Sequence, residues 1–287
     1  MPPTVRASED PSWIPPGSPL VALDIDGTIV HHDGHLSLRV ARAIEALADS
    51  QATVMIATGR SVLATMPLLR ELGLVRSGWY AVCSNGAVTL ALDPEHDEGY
   101  RLHRVVTFDP RPAVRILQRL LPEAIIAVEN VGVGFKVNRL FPEPDLAERQ
   151  TVVSLEELVA EPVPRVTFRD VSDRPMDFST MIDDIGLHGV NYAIGFSSWL
   201  DLAPEGVSKA SGLEAVRLAL GVDPVHTVAV GDQRNDIEML QWAARGVAMG
   251  QAPPEVVAVA DEVTADVAGD GLALVLEDLL DRVDRVA

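Results

Sequence analysis

Asp24 and Asp26 stand one residue apart at the end of an apolar run, Leu20–Leu23, and are followed at once by Gly27 and Thr28. Carboxylates at the end of an apolar strand are costly unless a cation or a set of donors neutralises them. Side chains two positions apart on a strand share a face, so the pair addresses one site unless Asp26 already lies in the turn. An ordinary Asp-Gly turn after a strand is the plain alternative. Two further apolar runs end in polar residues. Thr53–Ala57 runs into Thr58-Gly59-Arg60, and Thr227–Val230 runs into Gly231-Asp232-Gln233-Arg234-Asn235-Asp236. Lys209 follows Gly206-Val207-Ser208 where helical spacing begins. Each feature alone is a turn former, a cap or a solvated lysine. Grouped at one sheet edge, the carboxylates of Asp24, Asp26, Asp232 and Asp236, the Lys209 ammonium and the Thr58 hydroxyl suit Mg²⁺-assisted phosphoryl transfer. That ion prefers hard oxygen ligands and keeps waters, so a few carboxylates and a substrate phosphate suffice.

The elements that must position these residues are legible from periodicity. Short apolar runs at Leu20–Leu23, Thr53–Ala57, Trp79–Val82, Thr227–Val230 and Gly246–Met249 read as buried parallel strands. Between them lie helical patterns. One is capped by Ser37, one opens at Arg60 with Val62, Met66, Leu69 and Leu72 on its apolar face, and one runs from Ser208 to Leu220; a last helix starts near Gly271. The expected fold is α/β, a Rossmann-like, doubly wound, mostly parallel sheet with ligands at the carboxyl edge of its strands. Residues 19–86 and 195–287 form this core. From 87 to 194 the strands (Leu102–Phe108, Ile125–Glu129, Val133–Val137, Arg165–Arg169) turn shorter and more polar, with helices expected at Pro112–Leu121 and Met176–Leu187. These predict an inserted α+β unit whose sheet has one solvated face. Residues 1–18, rich in proline, read as a flexible leader.

Composition narrows the partners. Among 287 residues, 23 Lys and Arg face 42 Asp and Glu, a net charge of −19, which repels nucleic acid and anionic membranes. Any anion site must therefore carry its own positive charge or a metal. Cys83 is the only cysteine and reads as a core thiol, so no disulfide forms within the chain and a reducing compartment fits. No signal segment or membrane-length apolar run is evident, which predicts a soluble, cytoplasmic protein. His31, His32 and His35 sit in a polar loop and read as exposed histidines rather than ligands.

The motifs together resemble the haloacid dehalogenase superfamily of aspartate-nucleophile phosphatases, in particular its Cof-like branch with a type IIB cap inserted after the second motif. Asp24-Ile-Asp26-Gly-Thr is similar to that family's first motif, Ala57-Thr58-Gly-Arg to its second, Gly206-Val-Ser-Lys209 to its third and Gly231-Asp232-Gln-Arg-Asn235-Asp236 to its fourth. Ser84-Asn85-Gly86-Ala87 and Val247-Ala-Met-Gly also resemble segments of the branch. Gln251 departs from it, standing where Asn commonly follows Met-Gly, and is expected to affect local packing only.

The resemblance implies Asp24 as nucleophile and Asp26 as acid and base. It implies Mg²⁺ on Asp24, Asp232 and the main-chain carbonyl of Asp26, with Asp236 and Asn235 on the ion or one layer behind it. Thr58 and Lys209 would hold phosphoryl oxygens, with Gly27, Gly59 and Asn235 beside them. Arg60 either adds charge to the phosphate or pairs with a local carboxylate. The inserted unit would be a lid hinged near Asn85–Gly86 and Gly195, and Glu129, Asn130, Lys136, Asn138 and Arg139 are its polar candidates for substrate contact. The implied substrate is a small phosphomonoester such as a sugar phosphate or a nucleotide-derived cofactor. A hexose phosphomutase and a non-catalytic phosphometabolite sensor are the other readings.

Overall fold

Leu20–Leu23, the first strand (β1), has no solvent-exposed side chain, because its neighbours cover both edges and both faces. The computed structural model describes residues 19–142, 146, 148–171, 190–194 and 199–284. The Pro-rich leader, the helix expected at Met176–Leu187 and the hinge expected at Gly195 lie outside the described residues. After β1 come β2 (Thr53–Ala57), β3 (Tyr80–Cys83), β4 (Val88–Leu92) and β5 (Tyr100–Val105). A second group follows, β6 (Ile125–Asn130), β7 (Gly134–Val137), β8 (Gln150–Val152), β9 (Val166–Arg169), β10 (Val190–Ile194) and β11 (Trp199–Pro204). The chain ends through β12 (Thr227–Gly231), β13 (Arg245–Ala248) and β14 (Glu262–Val263).

The first sheet has the order β14-β13-β12-β1-β2-β3-β4-β5 and is parallel from β14 to β3. The chain winds outward from β1 through β2 and β3, then returns to the other side of β1 through β12. The order therefore reverses between β1 and β12, and a crevice opens beyond their carboxyl ends. Alternating residues fill two cores. Val21 and Leu23 pack with the helices Leu38–Asp49, Val62–Glu71 and Gly271–Asp284, while Leu20 and Ala22 pack with Lys209–Leu220 and Ile237–Trp242. Among the described residues no helix is long and apolar enough to cross a membrane.

The second sheet, β10-β11-β9-β6-β7-β8, is mixed. Ile126, Val128, Val166, Phe168, Leu200 and Leu202 on one face pack under the helices Arg111–Leu120 and Leu155–Leu158. The other face was expected to be solvated. It is instead buried at Ile125, Ala127, Glu129, Phe135, Val137, Arg165 and Thr167: its apolar residues pack against Phe141, Leu146 and Trp199, while Glu129 and Arg165 reach Ser84 and Gly59 at the edge of the first sheet.

Strand membership also shifts the expected boundaries at 87 and 195. β4 and β5 belong to the first sheet, and β11 belongs to the second. Val88, Leu90 and Leu92 join the first core. The polar character of β5 is that of an exposed edge strand rather than of a second unit. For β11, burial alone signalled a return to the core, but burial does not reveal which sheet a strand joins.

One close approach joins β3 to the helix that carries Lys209. Gly86 has φ +99°, and a Cβ there would run into the Ser208 carbonyl. Gly86→Ala should cost about 3 kcal/mol, combining roughly 1–2 of backbone strain with roughly 1–3 of overpacking. The turn glycine Gly73, with nothing near its Cβ position, should cost only about 1 kcal/mol as Ala. Denaturant unfolding of both variants measures the difference; equal costs would show that the approach is loose.

Candidate active site

Asp24 continues β1, its N–H donating to the Val230 carbonyl at 3.1 Å. Its side chain is buried, as are those of Asp232, Asp236 and Lys209. Lys209 is the first residue of its helix, behind the Ser208 cap. Its Nζ donates to Asp24 Oδ1 at 2.5 Å and to Asp236 Oδ1 at 2.7 Å. The helix dipole disfavours a cation at this end, so the two carboxylates are what hold the ammonium there. Asp236 Oδ2 accepts the Asp232 and Gln233 N–H groups at 3.0 and 2.9 Å, which ties the turn after β12 into one shape.

Oxygens of Asp24, Asp232 and Asp236 come within 4.8 Å of one another. Three carboxylates against one ammonium leave two negative charges uncompensated in a buried cluster. Burial raises the proton affinity of Asp24, with Asp236 adding to it and Lys209 opposing. Asp232 is pushed up to about 6, by burial first and Asp236 second. Burial works against the Lys209 charge, but Asp236 and Asp24 outweigh it and raise its affinity for the proton. Asp232 Oδ1 is buried with no partner. With that unpartnered oxygen, the three carboxylates form a hard-oxygen group that could hold a divalent cation.

Asp26 does not join this cluster. The backbone turns at Ile25, whose carbonyl accepts the N–H groups of Ile29 and Val30, so Asp26 already lies in the turn. Its carboxylate, about half exposed, is gripped by Arg60 through Nε–Oδ2 at 2.9 Å and Nη2–Oδ1 at 2.5 Å. Of the two roles left open for Arg60, this geometry displays the pairing with a carboxylate. Nor does Arg60 open the helix; Ser61 caps it and Val62 begins it.

Gly27, with φ +85°, is packed so closely on Asp232 that a Cβ would enter its carboxylate. Thr58, fully buried at the end of β2, accepts the Arg60 N–H on Oγ1 at 3.1 Å. The Gly59 carbonyl accepts Arg165 Nη1 at 2.5 Å. Asn235 reaches the same edge and donates to Asn85 Oδ1 at 3.0 Å.

Several contacts at this edge were not assigned from the sequence, although Ser84 and Asn85 stand there in a family segment and Glu129 among the candidates for substrate contact. Ser84 and Asn85 both have positive φ, 51° and 52°, a conformation rare outside glycine and asparagine; the Ser-Asn-Gly turn is its only trace in sequence. Ser84 Oγ donates to Glu129 Oε2 at 2.6 Å, and Arg165 Nε lies 3.3 Å from the same oxygen. Ser61 Oγ donates to Glu148 Oε1 at 2.8 Å. Of the polar residues expected to face substrate from the second sheet, Glu129 alone reaches the first sheet among these contacts.

The others are placed elsewhere. Asn138 bonds Ile126 N–H and the Ala124 carbonyl. Arg139 bonds the Glu123 carbonyl, Lys136 pairs in register with Val128 on the helix-covered face, and Asn130 is exposed. Gln251, expected to matter only for packing, donates to the Gly27 carbonyl at 2.6 Å and to Asp232 Oδ2 at 3.3 Å. His31 and His35 meet in their loop with ring centroids 5.4 Å apart and planes tilted by 57°, and join no ligand group found among the described residues. Burial pushes the Cys83 thiol up to about 12, which suits a core thiol and not a nucleophile.

A family model described as haloacid dehalogenase-like hydrolase matches residues 21–276. The chain is 28% identical over 270 residues to the putative phosphatase YkrA of Bacillus subtilis, covering 91% of this chain and 98% of that protein. It is 26% identical over 265 residues to the 5-amino-6-(5-phospho-D-ribitylamino)uracil phosphatase YitU of the same organism, covering 90% and 96%. A solved structure from Bacteroides thetaiotaomicron, studied among phosphatases of the same superfamily, superposes with a TM-score of 0.73 at 26% identity over 96% of this chain and 98% of that one. With the family model spanning both sheets and every element that carries the buried cluster, the chain belongs to the haloacid dehalogenase-like hydrolases.

Proposed function

We propose that this protein is a Mg²⁺-dependent phosphatase of small phosphorylated metabolites that works through an aspartyl-phosphate. The observation that carries the reading is the buried cluster itself, a nucleophile-grade carboxylate fixed by an ammonium inside a doubly negative cage. Asp24, Asp232 and Asp236, with the main-chain carbonyl of Asp26, are the residues to hold Mg²⁺. When bound, the ion neutralises the cage and shields the nucleophile from the charge of an incoming phosphate.

Lys209 fixes Asp24 through Oδ1, leaving Oδ2 to attack phosphorus and expel the alcohol. The same ammonium, the Thr58 hydroxyl and the main-chain N–H of Gly59 hold the phosphoryl oxygens, a kind of contact whose loss costs on the order of a hundredfold in rate. Asp26 then gives its proton to the leaving alcohol and later takes one from the water that cleaves the acyl phosphate. For that work it must leave Arg60, and a phosphate anion is the natural competitor for the guanidinium. The buried face of the second sheet, which meets the first at Glu129, Arg165 and Glu148, supports a lid that excludes water and contacts the leaving group. Its hinges are then proposed at residues 106–110 and 205–208, between strands of different sheets, rather than near Asn85–Gly86 and Gly195. Relatives acting on phosphorylated metabolites, as the name of YitU states, support the substrate class.

Asp24→Asn should remove turnover of an aryl phosphate by roughly four orders of magnitude or more. It should leave the melting temperature unchanged or raised, since it relieves buried charge; retained turnover would exclude Asp24 as nucleophile. Removal of divalent ions by a chelator should abolish activity, and Mg²⁺ should restore it. The sign of the pH effect follows from Asp232, whose ordinary value of 3.8 is pushed to about 6. Stability of the metal-free fold is then greatest below the lower value and is lost as pH rises through the upper one. The rise in melting temperature on adding Mg²⁺ should therefore be larger at about pH 7.5 than at about pH 5. A gain independent of pH would remove Asp232 from the ion.

A further inference from the structure

Gln251 sits in the loop after β13 and touches three separate segments at once. Its Oε1 accepts the Val267 N–H at 3.0 Å. That contact settles the orientation of the carboxamide, because an N–H can be met only by the oxygen end. The amino end then points at the catalytic loops, where Nε2 donates to the Gly27 carbonyl at 2.6 Å and, in a longer contact, to Asp232 Oδ2 at 3.3 Å. Gln233 Nε2 donates to the same Oδ2 at 3.0 Å. Two amides thus occupy one oxygen of Asp232, while its other oxygen, Oδ1, is buried without a partner. Gly27 lies directly against this carboxylate, so the amide braces the two surfaces that have to stay in contact.

We propose that Gln251 is a positioning residue for the metal-binding carboxylate: it pins Asp232 Oδ2 and the Gly27 carbonyl together, so that Oδ1 faces the ion. The proposal rests on the divalent-metal reading of the cluster. It assigns this position a part in ion affinity and none in phosphate contact. Residues that orient a metal ligand by hydrogen bonding commonly control affinity by about 10- to 100-fold. A glutamine that only filled space would be replaceable by any side chain of its size.

The test measures Mg²⁺ binding directly by calorimetry, without substrate, on the full chain and on Gln251→Ala, Gln251→Met, Gln251→Glu and Asp232→Asn. Gln251→Met keeps the length and loses both hydrogen-bonding ends; Gln251→Glu keeps the acceptor for Val267 and removes the donors. Each Gln251 variant should bind Mg²⁺ about 10- to 100-fold more weakly, with KM for an aryl phosphate at saturating Mg²⁺ close to that of the unaltered chain. Gln251→Met is the guard against misfolding, since it preserves volume in a half-buried site. Wild-type affinity in Gln251→Met, or a raised KM at saturating Mg²⁺ with affinity unchanged, would overturn the proposal. A failure of the metal reading looks different: the unaltered chain binds no Mg²⁺, or Asp232→Asn binds it as well as the unaltered chain, and the proposal falls with it.

Discussion

The contact between the Lys209 ammonium and the carboxylates of Asp24 and Asp236 is the constraint on which the site depends. Burying charged groups is expensive, and removing one partner of such a set leaves the others uncompensated. The ammonium is therefore required wherever the two aspartates are brought together, and it draws the start of its helix against the ends of β1 and β12. Asp236 returns the favour to the backbone by accepting two N–H groups of its own turn. The remaining negative charge has no cation beside it among the described residues, and the three carboxylates form a group that could hold a metal ion.

The sheet puts those groups within reach. Because strand order reverses between β1 and β12, the helices that follow these two strands lie on opposite faces of the sheet while the strand ends stay side by side. Two aspartates from distant parts of the chain are then neighbours by topology. Gly27 completes the fit, since the absence of a side chain lets the first loop rest on the Asp232 carboxylate. Gln251 spans the same junction from a third loop.

The second sheet meets this edge through polar groups. Glu129, Arg165 and Ser84 form a buried charged seam, and Arg165 also reaches the Gly59 carbonyl beside Thr58. Glu129 Oε1 is left without a partner in that seam. A seam of hydrogen-bonded charges holds a closed arrangement with geometric specificity, yet it can be rehydrated when the surfaces part, unlike a continuous apolar core. That property is the physical basis for the proposed lid.

The sequence by itself determined the α/β class, the parallel strands near each motif and the identity of the buried cluster. Apolar runs of four or five residues, each ended by a polar turn, carry that information locally, and the family's motifs lie on those same turns. Only the tertiary structure decided that β4 and β5 join the first sheet and β11 the second, because burial fixes periodicity along a strand but not the choice of neighbour. It also separated Asp26 from Asp24. A two-residue spacing places side chains on one face only while the chain stays extended, and here the backbone turns between them. Arg165, Glu148 and Gln251 were invisible as site residues for the same reason: long polar side chains act through partners more than fifteen positions away, and nothing in the local pattern records which partner the fold supplies.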